Sequence, residues 1–314
     1  MSEIQISVVI PVKNGITTIS RCLEALFRQS IINQVEVIVI DSGSTDGTLE
    51  ICESFDLRLV KIPPSAFNHG NTRNYGVTLA QGEYVFLTVQ DAIATDEYLL
   101  ERMVRHFSDS TVMAVSGRQI VPHEKDMNPH QWFRPISEPK LEKYGFTSAF
   151  EFKALPDKRK RWVCGTDDVV TMYRRSALLQ LPFRMVSLGE DIVWASDAYK
   201  AGYSIVFDQS AKVEHYHYLT FKYAYKSILF SLYTDWKYLG IKPKPNFKLS
   251  EYALAVFRNF KYKAHPKWIL HQMIFLLAKY KANRDFALCL RKSDSAVEIF
   301  FTKFKNSIPQ GKIK

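Results

Sequence analysis

The chain lacks the features that would place it outside a cell or across a bilayer. Its four cysteines, Cys22, Cys52, Cys164 and Cys289, are widely spread, with no CxxC pair and no disulfide-like spacing. That argues against a disulfide framework and predicts a reducing compartment. No run of about 18 apolar residues occurs, so no spanning helix is expected. The opening MSEIQISVVIPV has no basic segment ahead of a long apolar stretch, so no signal peptide is expected either. Together these absences predict a cytoplasmic chain. No internal repeat is evident. A composition of 46% hydrophobic and 24% charged residues excludes wholesale disorder. The 314 residues suffice for one large domain, or one domain plus an appendage.

Acidic residues become scarce towards the end. Residues 241–314 hold 16 Lys/Arg against 4 Asp/Glu, whereas the first 240 hold 26 against 28. The net charge of +10 therefore sits in the tail, which suggests an anionic partner.

What is present is organised around Val35–Thr48. Val35, Val37, Ile38, Val39 and Ile40 form a run too apolar for a strand with one wet face, as suits the centre of a parallel sheet. The run stops at Asp41 and turns into Ser42-Gly43-Ser44-Thr45-Asp46-Gly47. Its glycines permit positive φ, and its hydroxyls and carboxylates can cap a helix from Thr48. In open α/β sheets, ligands bind outside the carboxyl ends of the strands. An acidic loop there suits a base and ribose, or a cation that carries phosphates. An ordinary strand-to-helix turn is the alternative.

Further strands are predicted over 6–12, 57–62, 84–88, 113–116, 169–173 and 204–207, with 213–218 a last short strand or extended exit. Helices alternate with them over about 17–28, 48–54, 67–79, 96–107 and 189–201, with Gln81-Gly82 and Gly202 as stops. The alternation predicts a doubly wound, mostly parallel α/β sheet. Residues 119–165, with a basic cluster at Lys158–Arg161, read as a long, partly helical insertion. Lys242-Pro243-Lys244-Pro245 reads as a linker, giving a catalytic domain over 1–240 and a basic helical region over 241–314.

Four groups can carry chemistry. Asp91 follows a buried strand and is placed to bind Mg²⁺ or Mn²⁺ on a diphosphate, though a solvated loop aspartate is the plainer alternative. Gly189-Glu190-Asp191 opens a helix, where acids are favoured by the dipole. One of the pair can instead face a site as general base while the other anchors the helix. His215 and His217 share one face of an extended segment, as metal or phosphate ligands or as aromatic packing. His69 and Arg73 open a helix and can attract an anion.

In order, these pieces resemble the inverting family 2 glycosyltransferases of the GT-A fold. The resemblance rests on Val8-Val9-Ile10-Pro11-Val12-Lys13-Asn14, Val37–Asp41 with the loop to Thr48, Gly82–Leu87 leading to Asp91, and Gly189–Trp194 with Ala201-Gly202-Tyr203. It covers roughly residues 4–220. Phe67–Asn74, Gln90-Asp91-Ala92 and His215-Tyr216-His217 resemble a bacterial rhamnosyltransferase-like subgroup. The resemblance implies a nucleoside-diphosphate sugar, dTDP- or UDP-linked, as donor. Asp41 would contact its base. Pro11, Lys13, Asn14, Ser42, Gly43, Asp46, His69, Arg73 and Gln90 would complete the donor pocket. Asp91, with His215 and His217, would hold Mg²⁺ or Mn²⁺. Asp191 would be the base, with Glu190 and Trp162 on the acceptor side or anchoring the helix. The usual Asp-x-Asp is reduced here to Val89-Gln90-Asp91. A Gln-x-x-Arg-Trp motif and spanning helices, which mark processive synthases, are missing, so transfer of one or a few sugars is expected.

Trp268–Leu277, flanked by lysines, is too short to span a bilayer but can lie on anionic lipid or pack in a bundle. The first suits a lipid-linked glycan acceptor and a peripheral place on the inner membrane face. Among rivals, a sugar nucleotidyltransferase needs a glycine-rich basic loop that Pro11–Gly15 does not provide. A catalytically inactive glycan- or nucleotide-sugar-binding protein, or one binding an anionic polymer through its tail, would keep Asp41 and dispense with Asp91 or Asp191. Both are present. The tail's aromatics sit in apolar runs, so no nucleic acid is expected.

Overall fold

The computed structural model describes residues 4–120, 139–217, 220–243 and 249–305. The chain forms two compact units. The first takes residues 4–119, 139–186 and 190–215, and the second is helical and comes chiefly from the chain past 215. The helix at Phe221–Leu239 belongs to the second unit.

The first unit is a nine-stranded sheet in the order β3-β2-β1-β4-β8-β6-β9-β5, with β7 also paired to β9. The strands are β1 (Ile6–Val12), β2 (Val35–Asp41), β3 (Arg58–Lys61), β4 (Tyr84–Leu87), β5 (Ile93–Ala94), β6 (Val112–Ile120), β7 (Leu141–Tyr144), β8 (Thr171–Arg174) and β9 (Ser204–Glu214). The expected α/β sheet is thus present. β1 to β4 run parallel, with Val9 of β1 opposite Ile38 of β2 and Leu87 of β4. Beyond β4 the direction changes, because β8 pairs antiparallel with both β4 and β6.

The apolar runs are buried on both faces. Val8, Ile10, Val12, Val37 and Val39 share a core with Cys22, Leu23 and Leu26 of α1 (Ile19–Phe27). On the other face Val9 lies against Gly76 of α3 (His69–Leu79), so closely that a Cβ there would sit 2.4 Å from Val9 Cγ1. Short helices α2 (Thr48–Glu53) and α4 (Leu99–Arg105) complete the wound half. The insertion is partly helical in its described portion, with α5 (Ala149–Lys153) and α6 (Asp157–Val163). Helices α7 (Arg175–Gln180) and α8 (Glu190–Lys200) follow.

Two local expectations change. Residues 204–214 form one strand instead of two pieces. The polar Asp208-Gln209-Ser210 stays in the ladder because its groups are satisfied there: Gln209 N donates to Lys140 O at 2.9 Å, and Asp208 accepts from Ser210 N at 2.8 Å and lies 2.8 Å from His106 Nε2. Gly82 is not a left-handed helix stop. Its place is one of close approach, since a Cβ would meet the backbone of Gln5, Ile6 and Ser7 at 2.8 Å. Gly202 does take positive φ, at 82°.

The helical unit contains α9 (Phe221–Leu239), α10 (Leu249–Lys261), α11 (Lys267–Lys292) and α12 (Asp294–Lys305). Leu229, Phe230, Tyr233, Ala282, Phe286, Val297 and Phe301 form its core, with Tyr233 stacked on Phe301. Tyr233 and Lys237 both bond Glu298, at 2.6 and 2.8 Å. Within the Trp268–Leu277 stretch, Trp268 and Leu276 are buried while Leu270 and Leu277 are exposed. Among the described residues, no helix is long and apolar enough to cross a membrane. All four cysteines are thiols.

Candidate active site

Two loops at the carboxyl ends of β1 and β2 are stitched into one cradle. Asp41 is buried, and its carboxylate accepts from the backbone N–H groups of Gly43 and Ser44 at 2.9 and 3.1 Å. Ser42 N donates to Val12 O at 3.0 Å. Asn14 adopts φ 49°, takes Ser44 Oγ at its N–H and offers its Oδ1 to Thr45 N, both at 2.9 Å. Asp46 accepts from Ile16 N at 3.2 Å and Thr48 N at 3.1 Å. Partial burial would raise the Asp46 pKa, but these hydrogen bonds to its charged form prevail and hold it below the ordinary value. Gly43 and Gly47, at φ 92° and 93°, make the turns that this stitching needs.

Gln90 clasps the cradle from β4's end. Its Oε1 accepts from Lys13 N at 2.8 Å and its Nε2 donates to Lys13 O at 3.2 Å. The carboxamide thus pairs with a backbone as a neighbouring strand would. Pro11 and Lys13 are half-buried beside it.

The next residue, Asp91, lies 3.4 Å from His215 Nε2, and both side chains are about nine-tenths covered. His217 stands two residues along the same extended segment. Each of the three offers a ligand atom within 4.8 Å of the other two. One carboxylate with two imidazoles is a donor set that fits a divalent metal ion.

At α8 the two adjacent acids part, as their helical positions require. Glu190 is buried and ion-paired to Arg73 Nη1, whereas Asp191 keeps part of its surface open. Arg73 Nε lies 3.5 Å from Asp168, which also accepts from Tyr173 OH at 2.5 Å. Asp191 is fixed through Thr166 Oγ1, which donates to its carbonyl at 3.0 Å, and Asp168 N, which reaches its carboxylate at 3.4 Å. Glu190 and Asp168 therefore share one guanidinium, and Asp191 stands next to Asp168. Burial would raise Glu190, but the Arg73 charge holds it below the ordinary range. Asp191 is pushed well above that range, by burial first and then by Asp168 and Glu190. Burial likewise raises Asp168, against Arg73.

The segment Phe67–Asn74 works inward. Asn68 caps α3 and also donates to Val186 O at 2.9 Å. Asn74 pairs with both backbone groups of Phe183, and Arg73 is turned into the acidic cluster. His69 is half-covered, and burial lowers its pKa, opposed by Glu190. Arg73 and His69 thus sit with Glu190, and the Arg73 charge faces the carboxylates of Glu190 and Asp168. Trp162 is 53% exposed on α6, the helix that leads into the Gly165–Asp168 loop.

Sequence reasoning passed over Thr166-Asp167-Asp168, Tyr173 and Gln119. The signal was the acidic pair directly before a buried strand, the counterpart of Asp91 directly after one.

The family described as Glycosyl transferase family 2 matches residues 7–181. The chain is 30% identical over 288 residues to "O-antigen chain rhamnosyltransferase RfbN" of Salmonella typhimurium, covering 88% of this chain and 87% of that protein. It is 28% identical over 265 residues to "O-antigen chain rhamnosyltransferase WbaN" of Salmonella anatum, covering 81% and 80%. The mannosyltransferase PcManGT of Pyrobaculum calidifontis, solved with GDP-Man and Mn²⁺, shares the fold with a TM-score of 0.56 at 19% identity, over 99% of this chain and 82% of that one.

Proposed function

Since the chain belongs to glycosyl transferase family 2, we propose that it moves one hexose, rhamnose first among the candidates, from a dTDP- or UDP-linked donor to a hydroxyl of a bacterial surface glycan or lipid-linked acceptor, with inversion. The rhamnose reading draws on the names of the two Salmonella relatives. The observation that carries the mechanism is the division of labour at α8. Glu190 is spent on Arg73, while Asp191, partly open and raised in pKa, is kept for the reaction.

Asp191 takes the proton of the acceptor hydroxyl. The freed oxygen pair forms the bond to the anomeric carbon, and the bond from that carbon to the diphosphate oxygen breaks, its electrons leaving with the nucleoside diphosphate. The raised pKa makes Asp191 a stronger base than an ordinary aspartate once it is deprotonated. Asp41 and the stitched loops present a rigid polar rim to the base and ribose. Asp91, His215 and His217 would hold the divalent ion, which when bound neutralises charge on the departing diphosphate.

A lipid-linked acceptor would bring the helical unit to the membrane. On α10 Phe257 and Phe260 are 60% and 74% exposed, beside Arg258, Lys261 and Lys263. An apolar stripe with flanking cations is the arrangement of a helix that rests on anionic lipid.

The test is nucleoside-diphosphate release from a panel of dTDP- and UDP-sugars, with Mn²⁺, with Mg²⁺ and with EDTA, using wild type and Asp191→Asn. Release from one donor that needs metal and collapses in Asp191→Asn supports the reading and names the sugar. Undiminished release in Asp191→Asn moves the base elsewhere. If no donor gives release, calorimetric titration with the same nucleotide sugars separates a missing acceptor from a binding protein.

A further inference from the structure

Gln119 and Asp167 belong to none of the roles above, yet they lie between the two halves of the site. Gln119 is 7% exposed on the last turn-free stretch of β6, and His215 follows the last residue of β9, the neighbouring strand. His215 Nδ1 stands 2.8 Å from Gln119 Oε1, and Gln119 Nε2 donates to Asp167 Oδ2. Asp167 is itself immobilised: its second oxygen accepts from Val169 N at 3.2 Å, its N–H reaches Ser116 Oγ at 3.3 Å, and its carbonyl accepts from Thr171 Oγ1 at 2.6 Å. Ser116 and Thr171 are opposed across β6 and β8.

This arrangement leaves one proton pattern. A carboxylate only accepts, so the side of the Gln119 amide facing Asp167 is the NH₂ and the side facing His215 is the carbonyl. A carbonyl only accepts, so His215 carries its hydrogen on Nδ1. In the neutral ring, Nε2 then holds the lone pair, and Nε2 is the nitrogen that faces Asp91 at 3.4 Å.

We propose that Gln119, oriented by Asp167, is a positioning residue that fixes His215 in the tautomer able to bind a divalent ion together with Asp91. The proposal rests on the metal-dependent reading above. It also has a spatial corollary. Asp168, next to Asp167, touches the base Asp191, so a single turn braces both the metal ligand and the base.

Two measurements on the full chain test it. Long-range ¹H–¹⁵N correlation of the metal-free, ¹⁵N-histidine-labelled protein, with His215→Gln for assignment, reads the tautomer directly. Nδ1–H is expected in wild type, with loss of that preference in Gln119→Leu. An Nε2–H ring in wild type overturns the proposal. Titration with Mn²⁺ alone, followed by the spin-resonance signal of the free ion, reads affinity. Loss of an interaction that orients a metal-bound histidine weakens binding about 10–100-fold, and that loss is expected for Gln119→Leu. The double variant Gln119→Glu with Asp167→Asn keeps an acceptor for Nδ1–H and restores a donor opposite residue 119, and is expected to remain within about threefold of wild type. It keeps the test open if the leucine variant fails to fold: a loss in the double variant as deep as that of Asp91→Asn overturns the role. Equal affinity in Gln119→Leu and wild type overturns the proposal alone. Absence of Mn²⁺ binding in wild type, with Asp91→Asn no different, overturns the metal reading beneath it.

Discussion

Replacing Arg73 by methionine should unfold the site from within. Arg73 is 4% exposed, fills a buried volume and, among the described residues, is the one cation ion-paired to both Glu190 and Asp168. Methionine keeps much of its bulk, so the change is chiefly one of charge. Removing one partner of a buried ion pair costs about 3–5 kcal/mol, because the other charge is left uncompensated. For a domain of this size, about 1 kcal/mol moves the melting temperature by roughly 2–4 °C, so a fall of about 6–20 °C is expected near neutral pH. The loss should also depend on pH. In wild type Glu190 is held below its ordinary value, so its contribution is present above that value and fades as pH falls through the folded one. In the variant the Arg73 charge no longer opposes the burial that already raises Asp168, and only the Tyr173 hydrogen bond still lowers it. Groups raised in the folded state favour it fully at low pH and lose that contribution as pH rises through their folded values. Each such proton is worth about 1.4 kcal/mol per pH unit across the shifted range. The gap between wild type and Arg73→Met should therefore widen from about pH 4.5 to pH 8. Thermal melts at half-unit intervals, with circular dichroism at the start of each, measure it. A deficit below about 1 kcal/mol, or one independent of pH, would refute the reasoning that a single guanidinium neutralises this cluster.

Three other outcomes are expected. Asp191→Asn should lower kcat by about 10²–10⁴-fold, the usual contribution of a general base, without changing nucleotide affinity; in wild type, activity should rise with pH through an acid limb above the ordinary aspartate range, because Asp191 must lose its proton to act. Gly82→Ala should cost about 1–3 kcal/mol in chemical denaturation, since its Cβ would press on the backbone of β1 and no flexible side chain is there to yield. Paired substitutions Phe257→Glu and Phe260→Glu should abolish sedimentation with vesicles of anionic lipid while leaving donor hydrolysis in solution unchanged; retained sedimentation would remove this face from any membrane role.

The wound half of the sheet was legible because its physics is local. A β-branched run buried on both faces reads the same in sequence and in space, and β1, β2 and β4 fall within a residue or two of where the runs predict them. Gly43 and Gly47 likewise announce their turns. The antiparallel half was less legible. β7 is an edge whose Leu141-Glu142-Lys143-Tyr144 stays largely wet, and β9 carries three polar residues in its middle that are satisfied by His106, by Lys140 and by one another. At the site, sequence placed Asp91, His215 and the Glu190-Asp191 pair as chemical groups. It had no means to tell that Arg73 points at Glu190, since 117 positions separate them. Gln119 was invisible for the same reason. A lone glutamine at a strand end has no signature until His215 and Asp167 arrive on either side of it.

The Gln119–Asp167 bond also closes a loop. Between those two residues the described chain is pinned again, at β7 by β9 and at Val163 O by Tyr199 OH. Doubling a closed loop adds only about 0.6 kcal/mol of entropy, so an exposed turn between two pins, such as the one at Thr147-Ser148, can change length while the pinned residues hold. A scaffold pinned in this way can acquire a new recognition surface beside an old reaction, one segment at a time.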